Sequence, residues 1–315
     1  MYDVLYPLAV FAFGLGLMMY SAEKLVRGIV GVSVGFGLSA FMITAVFVGF
    51  DPENMAAGAA GASQGIHGIA IGSIVGAIMV PVALAFGLTA MITRMRFRRV
   101  SKQLLLAPVA AMILLYLLSM DGLVSRLDGV LLLAAFAATA YYLIGASRRG
   151  LDIRPAGELK ESLAAVKGLS KWKALAIMVA AIVGIVMGSE LLVEGAKPLI
   201  GILGITDTLF GMTILAFLIS IEELAKQLPA ALKGRYDISY GNMNGSVLHF
   251  VLLNAGVIAL VNPISIAPSV LYFYFPVALL TVVFVSVVMA TKQVPRYAGL
   301  LLVLLYFLFI LRGFA

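Results

Sequence analysis

Ten apolar windows, each near the length that spans a bilayer, follow one another along this 315-residue chain with only short polar breaks between them. They lie near residues 4–20, 26–50, 55–91, 103–119, 128–147, 173–189, 193–224, 238–261, 267–290 and 297–312. About 20 apolar residues carry a helix across the hydrocarbon core. Only helices or closed barrels satisfy their backbone polar groups there. The expectation is an all-α membrane protein of about ten transmembrane helices. The third window exceeds one straight span, so it must tilt, break or include a short turn near Gly65–Gly68. Composition agrees, with 63% of residues apolar and 12% charged; a soluble domain carries about a quarter charged. The opening Met1-Tyr2-Asp3 lacks the positive n-region of a signal peptide. Cysteine is absent, which excludes disulfides and thiolate metal sites. The longest polar stretch, roughly 148–173, is too short for a soluble domain.

The cations sort by loop. Lys24 and Arg27 fall in the first predicted loop, and Arg94, Arg96, Arg98, Arg99 and Lys102 in the third. The fifth holds Arg148, Arg149, Arg154, Lys160, Lys167, Lys171 and Lys173. Lys226, Lys233 and Arg235 belong to the seventh, Lys292 and Arg296 to the ninth. Even-numbered loops hold only Arg126 and Lys197, and Arg312 ends the chain. The positive-inside rule then puts odd loops in the cytoplasm and both termini outside, for a multi-pass protein of the cell (plasma) membrane. The net charge of +7 is thus a topology signal and not a nucleic-acid footprint.

An internal repeat divides the chain. "SAEKLVRG" (21–28) resembles "GSELLVEG" (188–195), pairing Glu23 with Glu190, Leu25 with Leu192, Val26 with Val193 and Gly28 with Gly195. Both are expected to open the second helix of a five-helix half. An acidic cluster follows in each half, "GFDPEN" at 49–54 and "ISIEELAKQ" at 219–227. Then come "GSIVGA" (72–77) and "GNMNGS" (241–246). Five helices per half is an odd number, so the two copies run in opposite senses through the membrane. That is an inverted-topology repeat, with the site expected at the midplane where the halves meet. The predicted units are a first five-helix repeat (1–147), a cytoplasmic basic linker (148–172) and a second five-helix repeat (173–315).

Carboxylates at membrane depth cost at least ~2.5 kcal/mol on insertion scales, so each needs a partner or a function. Glu222 has Lys226 four residues on, the favourable helical ion-pair spacing. Glu223 is three residues before the same lysine, but adjacent helical residues point about 100° apart. One lysine is therefore not expected to serve both. Glu53 has no local cation, since position 57 is Ala. Asp51 is two residues from Glu53; either a break at Pro52 lets the two converge, or Asp51 caps the backbone donors exposed there. Carboxylates from both halves, joined by neutral oxygens, suit a hard cation such as Ca2+, which takes 6–8 oxygen ligands. Ser220, Asn242, Ser246 and Ser73 are the candidate neutral ligands. The alternative for each is helix packing, which is also the expected role of the small-residue runs "AAGAAGAS" (56–63) and "IGSIVGA" (71–77). His249 could titrate near the site or simply pack in the core; His67 reads as a loop or interface residue.

These motifs resemble the calcium/cation antiporter superfamily, which includes the sodium/calcium exchangers. Its members have ten or eleven helices in two inverted halves. Each half carries a motif close to Gly-Thr-Ser-Leu-Pro-Glu, then Gly-Asn-x-x-Gly-Ser about eighteen residues on. Here "ISIEE" keeps Ser220 and Glu223 with Glu222 at the proline position, and "GNMNGS" fits fully. In the first half Pro52 and Glu53 are kept, while Gly49, Phe50 and Asp51 replace Thr, Ser and Leu. Ser73 and Ala77 take the Asn and Ser positions of the second motif, with one extra residue of spacing. Pro81 and Phe250 stand where sodium-type members place Asn or Asp. The resemblance implies a secondary-active antiporter exchanging a divalent cation, Ca2+ foremost, for Na+ or H+ at one midplane site. Glu53 and Glu223 would be the principal metal ligands, with Ser220, Asn242, Ser246, Ser73, Asp51 and Glu222 around them. It also implies access by sliding the first two helices of each half past the remainder, no cofactor, and inorganic cations and the lipid bilayer as partners, with no nucleic-acid partner and with the oligomeric state left open. With those hydroxyls missing, the resemblance supports antiport better than Na+ coupling, and the fewer neutral ligands and extra carboxylates also suit proton coupling or a different divalent ion such as Mg2+. A cation channel and a non-transporting pseudotransporter or sensor are the alternatives. No nucleophile motif, paired metal histidines or phosphate loop points to an enzyme.

Overall fold

The computed structural model describes residues 2–37, 49–97, 100, 102–148, 164, 166 and 169–314. Its helices are α1 (Tyr2–Gly35), α2 (Pro52–Ser63), α3 (His67–Ile92), α4 (Lys102–Leu118) and α5 (Arg126–Arg148) in the first half. The second half has α6 (Lys171–Leu203), α7 (Asp207–Ser220), α8 (Glu222–Leu232), α9 (Tyr236–Val261), α10 (Val270–Ala290) and α11 (Arg296–Leu311). Among the described residues six helices are long and apolar enough to cross a membrane, and a seventh span is counted if α7 and α8, bent by 49°, form one. α4 and α11 contain shorter apolar helices. One pattern thus runs twice, a long helix, a broken one and three more. Residues 38–48, between α1 and α2, lie outside the described residues. Most of the basic linker 148–172 lies outside them too, as do Arg98 and Arg99.

Two predicted boundaries move. No loop interrupts residues 20–26, because α1 runs unbroken from Tyr2 to Gly35. Glu23 and Arg27 form an ion pair one turn apart, so the charges flank the helix and support it. Likewise α6 continues through Glu190, Glu194 and Lys197 and stops only at Gly204, whose φ of +64° suits a glycine C-cap. "SAEKLVRG" and "GSELLVEG" therefore lie inside the first helix of each half and do not open the second. Their correspondence holds at that shifted place. The overlong third window does break, at Gly65 (φ +72°), where Ile66 N–H reaches back to Gly61 C=O at 2.8 Å.

The loops sort into two ends. Two-residue strands β1 (Met95–Arg96) and β4 (Gln293–Val294) pair antiparallel, joining the third and ninth loops. Strands β2 (Leu123–Val124) and β3 (Ile264–Ser265) join the fourth and eighth. At that second end Asp207 accepts from Gly68 N–H at 3.0 Å, and His67 Nδ1 accepts from Ser265 N–H at 3.4 Å. His67 is thus a loop-interface residue, as expected. Among the described residues these contacts join odd loops to odd and even loops to even.

Packing separates outer from inner helices. α1 and α6 lie antiparallel along their whole length, each about 50 Å long at 1.5 Å per residue. A Cβ on Gly14 would lie 2.4 Å from Leu192 N, one on Gly195 2.5 Å from Phe11 N, and one on Gly28 2.8 Å from Met178 Cα. Close backbone approach at small residues is how helices associate without a hydrophobic drive in lipid. α3 and α9 are the inner helices, with 94% and 72% of their apolar spans buried against 28% and 33% for α1 and α6. α3 meets α7 through its own glycines. A Cβ on Gly68 would sit 2.2 Å from Thr208 N, one on Gly72 2.2 Å from Gly211 C, and one on Gly76 2.7 Å from Met212 O. The run "IGSIVGA" is packing, as its composition suggests. Both inner helices widen into a π-helical turn at matching places, Val80–Ala85 and His249–Asn254. Such turns loosen the hydrogen-bond ladder and recur at functional sites.

These contacts give opposite signs to one substitution. Gly72→Ala is expected to cost about 1–3 kcal/mol through overpacking. Gly16→Ala, on an exposed position with nothing within 4 Å, should gain up to about 1 kcal/mol of helix propensity. Thermal unfolding of the two purified variants in detergent checks the contrast.

Candidate functional site

In the first half the break is built by Gly49 to Asn54. Gly49 has φ +78°, and a Cβ there would lie 2.2 Å from Ser246 N and 2.3 Å from Gly245 C. The chain thus meets α9 backbone to backbone, at a conformation and a distance only glycine tolerates. Asp51 is the N-cap of α2: its Oδ1 accepts from Asn54 N–H at 3.1 Å and its Oδ2 from Asn54 Nδ2 at 2.8 Å. Pro52 takes the first helical position, where its missing N–H leaves nothing unsatisfied. Of the two readings open for Asp51, this geometry is the cap.

Glu53 comes next, in the first turn of α2 and 4% exposed. Its Oε2 is buried without a hydrogen-bond partner. Asn54 Nδ2 also donates to Ser220 Oγ at 2.9 Å. Ser220 ends α7, three residues before Glu223, so this bond ties the break of one half to the break of the other.

Glu223 is the second residue of α8 and 1% exposed. Both glutamates therefore stand in the first turn of a helix that restarts after a break, where the helix dipole favours an anion. Glu223 Oε2 accepts from Asn242 Nδ2, and Glu223 Oε1 lies 3.4 Å from Lys226 Nζ. Lys226 also holds Glu222 at 2.5 Å. The expectation that one lysine would not serve both carboxylates fails. Positions three and four residues back flank the same point on a helix, and the long lysine stem reaches between them.

The remaining candidates are spread around this centre. Ser246 Oγ donates to Asn242 C=O at 3.1 Å, one turn back on α9. Ser73 Oγ donates to Ala70 C=O at 2.8 Å and faces α2, where a Cβ on Gly58 would meet it at 2.2 Å. His249 Nδ1 is 2.8 Å from Gly245 C=O, with its ring edge-on to Phe50 and Phe136 at 5.9 and 5.1 Å. These contacts are the packing alternative for that residue. Among the described residues no three His, Cys, Asp or Glu side chains close on one point that could hold a metal ion. Any cation held here must take neutral oxygens as well.

Of the buried amides that went unread in the sequence, three are fully enclosed. Asn54 sits beside Glu53, Asn254 donates to Asp51 C=O at 3.4 Å, and Gln227 donates to Pro81 C=O at 3.1 Å inside the π-helical turn of α3. All three are 0% exposed. The signal was present, because a carboxamide within an apolar helix is costly unless bonded. If Asp51 acts as a cap, Asp51→Ala should lower stability by about 1–2 kcal/mol, and Asp51→Ser, which keeps a capping oxygen, should recover most of it. Melting in detergent with and without added Ca2+ separates this from a ligand role, in which the Ser variant would lose the Ca2+ effect.

A model of the sodium/calcium exchanger protein family matches residues 6–145 and 173–314, one segment per half. Inner membrane protein YrbG of Escherichia coli is 27% identical over 269 residues, covering 81% of this chain and 80% of its own. Sodium/calcium exchanger MaX1 of Methanosarcina acetivorans is 32% identical over 127 residues, 40% of this chain and 36% of its own. The structure of the sodium-calcium exchanger NCX_Mj soaked with 10 mM Na+ and 10 mM Sr2+ superposes with a TM-score of 0.62 at 24% identity, covering 98% of both chains. At that identity the likeness carries the fold.

Proposed function

The chain belongs to the sodium/calcium exchanger protein family, and from that premise we propose that it exchanges a divalent cation, Ca2+ foremost, for Na+ or protons across the cell membrane. The observation that carries the reading is Glu53. It is a buried carboxylate whose Oε2 has no partner, at a helix break that touches the equivalent break of the other half. Such a group needs a counter-charge. Glu53 and Glu223 together offer two negative charges, matched by one divalent cation, by two monovalent ones or by two protons. In this reading exchange arises because the ions compete for the same oxygens. Ser220, Asn242, Ser246 and Ser73 are the neutral groups nearest to hand, and Glu222 serves chiefly as the anchor of Lys226. Asp51 acts as the cap that fixes Glu53. With odd loops cytoplasmic, both termini face outward, and the halves divide at the basic segment 148–172.

Flux into proteoliposomes tests this. Ca2+ uptake driven by a Na+ gradient identifies Na+ as the counter-ion; uptake driven only by a pH gradient makes the two glutamates proton carriers. Uptake in neither overturns the reading. Glu53→Gln and Glu223→Gln should each abolish uptake in protein that still elutes as a single folded species, and full activity in both would sink the assignment.

Lys226 adds a sign. Its ammonium stands 3.4 Å from Glu223 as a resident positive charge, which an arriving cation must displace or share. Lys226→Met should therefore lower the half-saturating Ca2+ concentration, by about tenfold for each ~1.4 kcal/mol of competition removed. An unchanged or raised value would place Lys226 outside the competition.

A further inference from the structure

The three buried oxygens around Asp51 form a set that hydrogen bonding within the protein leaves unused. Asn54 spends its amide hydrogens on Asp51 Oδ2 at 2.8 Å and Ser220 Oγ at 2.9 Å. Turning the amide over would set its oxygen against a carboxylate oxygen, so the orientation is fixed. Asn54 Oδ1 is then buried with no donor. Asn254 is held the same way. Its Nδ2 donates to Asp51 C=O at 3.4 Å, and a flip would oppose two oxygens. Asn254 Oδ1 is also buried with no donor. Glu53 Oε2 is the third. The fourth buried oxygen of this kind, Gln227 Oε1, hangs from a different contact at Pro81 and is not counted in the set.

All three groups face donor-free surroundings while their own donors, or the cap beside them, hold the segment Asp51–Asn54 in place. A hard cation is the kind of group that satisfies such oxygens, because oxygen ligands are what Na+ and Ca2+ take and neutral amide oxygens are ordinary members of such shells. We propose that Asn54 Oδ1 and Asn254 Oδ1 are neutral ligands of the cation held by Glu53. The proposal rests on the antiport reading above and names ligands that reading does not contain. The two amides carry no proton to exchange, so they set cation affinity and ion preference while Glu53 carries the charge.

The test is cation-dependent thermal stabilisation of the purified full-length protein in detergent, titrated separately with CaCl2 and with NaCl over a choline background. Asn54→Leu and Asn254→Leu keep the volume and remove the oxygen. Each should raise the half-saturating concentration of at least one ion about tenfold or more. Asn254→Asp loses the amide donor but keeps an oxygen and adds charge, so it should bind Ca2+ at least as tightly as wild type and shift preference from Na+ toward Ca2+. A folded Leu variant that titrates as wild type for both ions overturns the proposal. So does an Asn254→Asp protein with an unchanged Ca2+ to Na+ preference, or one as weak as Asn254→Leu, since the lost donor would then be what mattered. Glu53→Gln separates the two levels. If Glu53→Gln loses the stabilisation while the Leu variants keep it, the amide assignment alone fails. If wild type shows no stabilisation by either ion, the antiport reading fails and takes this one with it.

Discussion

A helix that stops inside a membrane leaves main-chain N–H and C=O groups where no bulk water can reach them. Everything at the centre of this protein follows from how two such stops are satisfied. In the first half the answer is local: Pro52 removes one donor, Asp51 Oδ1 caps the N–H of Asn54, and the Asn54 side chain fills the second carboxylate oxygen. The left-handed Gly49 then lets the chain come flush against α9. Because these bonds are all made within a few residues, Glu53 is presented rigidly. Its place in the first turn is set by the cap, and its Oε2 has no hydrogen-bond partner.

The second half reaches a similar place by other means. It has no proline at the break, and α7 and α8 are simply bent by 49° at Ile221. Two adjacent glutamates start the new helix, and Lys226 one turn on draws charge from both. The halves thus share backbone architecture while differing in electrostatics: Glu223 stands beside the tethered Lys226, whereas Glu53 follows a capping aspartate. A symmetric fold here carries an asymmetric site, and the Asn54–Ser220 bond is where the two chemistries touch.

Much of this was legible beforehand. Apolar windows report spans because lipid forbids polar surface, and the sorting of Lys and Arg reports loop parity, which the strand pairs and the His67–Ser265 contact bear out. Length alone required a tilt, a break or a short turn in the third window, and the structure takes the break, at Gly65. Boundaries at 20–26 and 189–193 were misread because a charged turn resembles a loop in composition, whereas a helix longer than the bilayer is thick can carry charge on its flank. The reach of Lys226 was missed by treating side-chain direction as fixed at Cβ. Asn54 and Asn254 were passed over because carboxylates dominate a reading based on charge. What an amide does depends on which of its two ends is already engaged, and only packing decides that.

The two small strand pairs have a mechanical meaning. β1–β4 fastens the junction of α3 and α4 to that of α10 and α11, with Phe97 N–H adding a bond to Lys292 C=O at 2.9 Å. At the opposite end β2–β3 fastens α4 and α5 to α9 and α10, with Ile266 N–H on Gly122 C=O at 2.8 Å. Main-chain hydrogen bonds do not stretch, so six helices from both halves are clasped top and bottom into one chassis. Among the described residues neither clasp includes α1, α2, α6, α7 or α8. The part outside the clasps contains both long glycine-seamed helices and both breaks, and it is held to the chassis by other means, side-chain hydrogen bonds such as Gly68 N–H to Asp207 and Gln227 to Pro81 C=O and close glycine contacts.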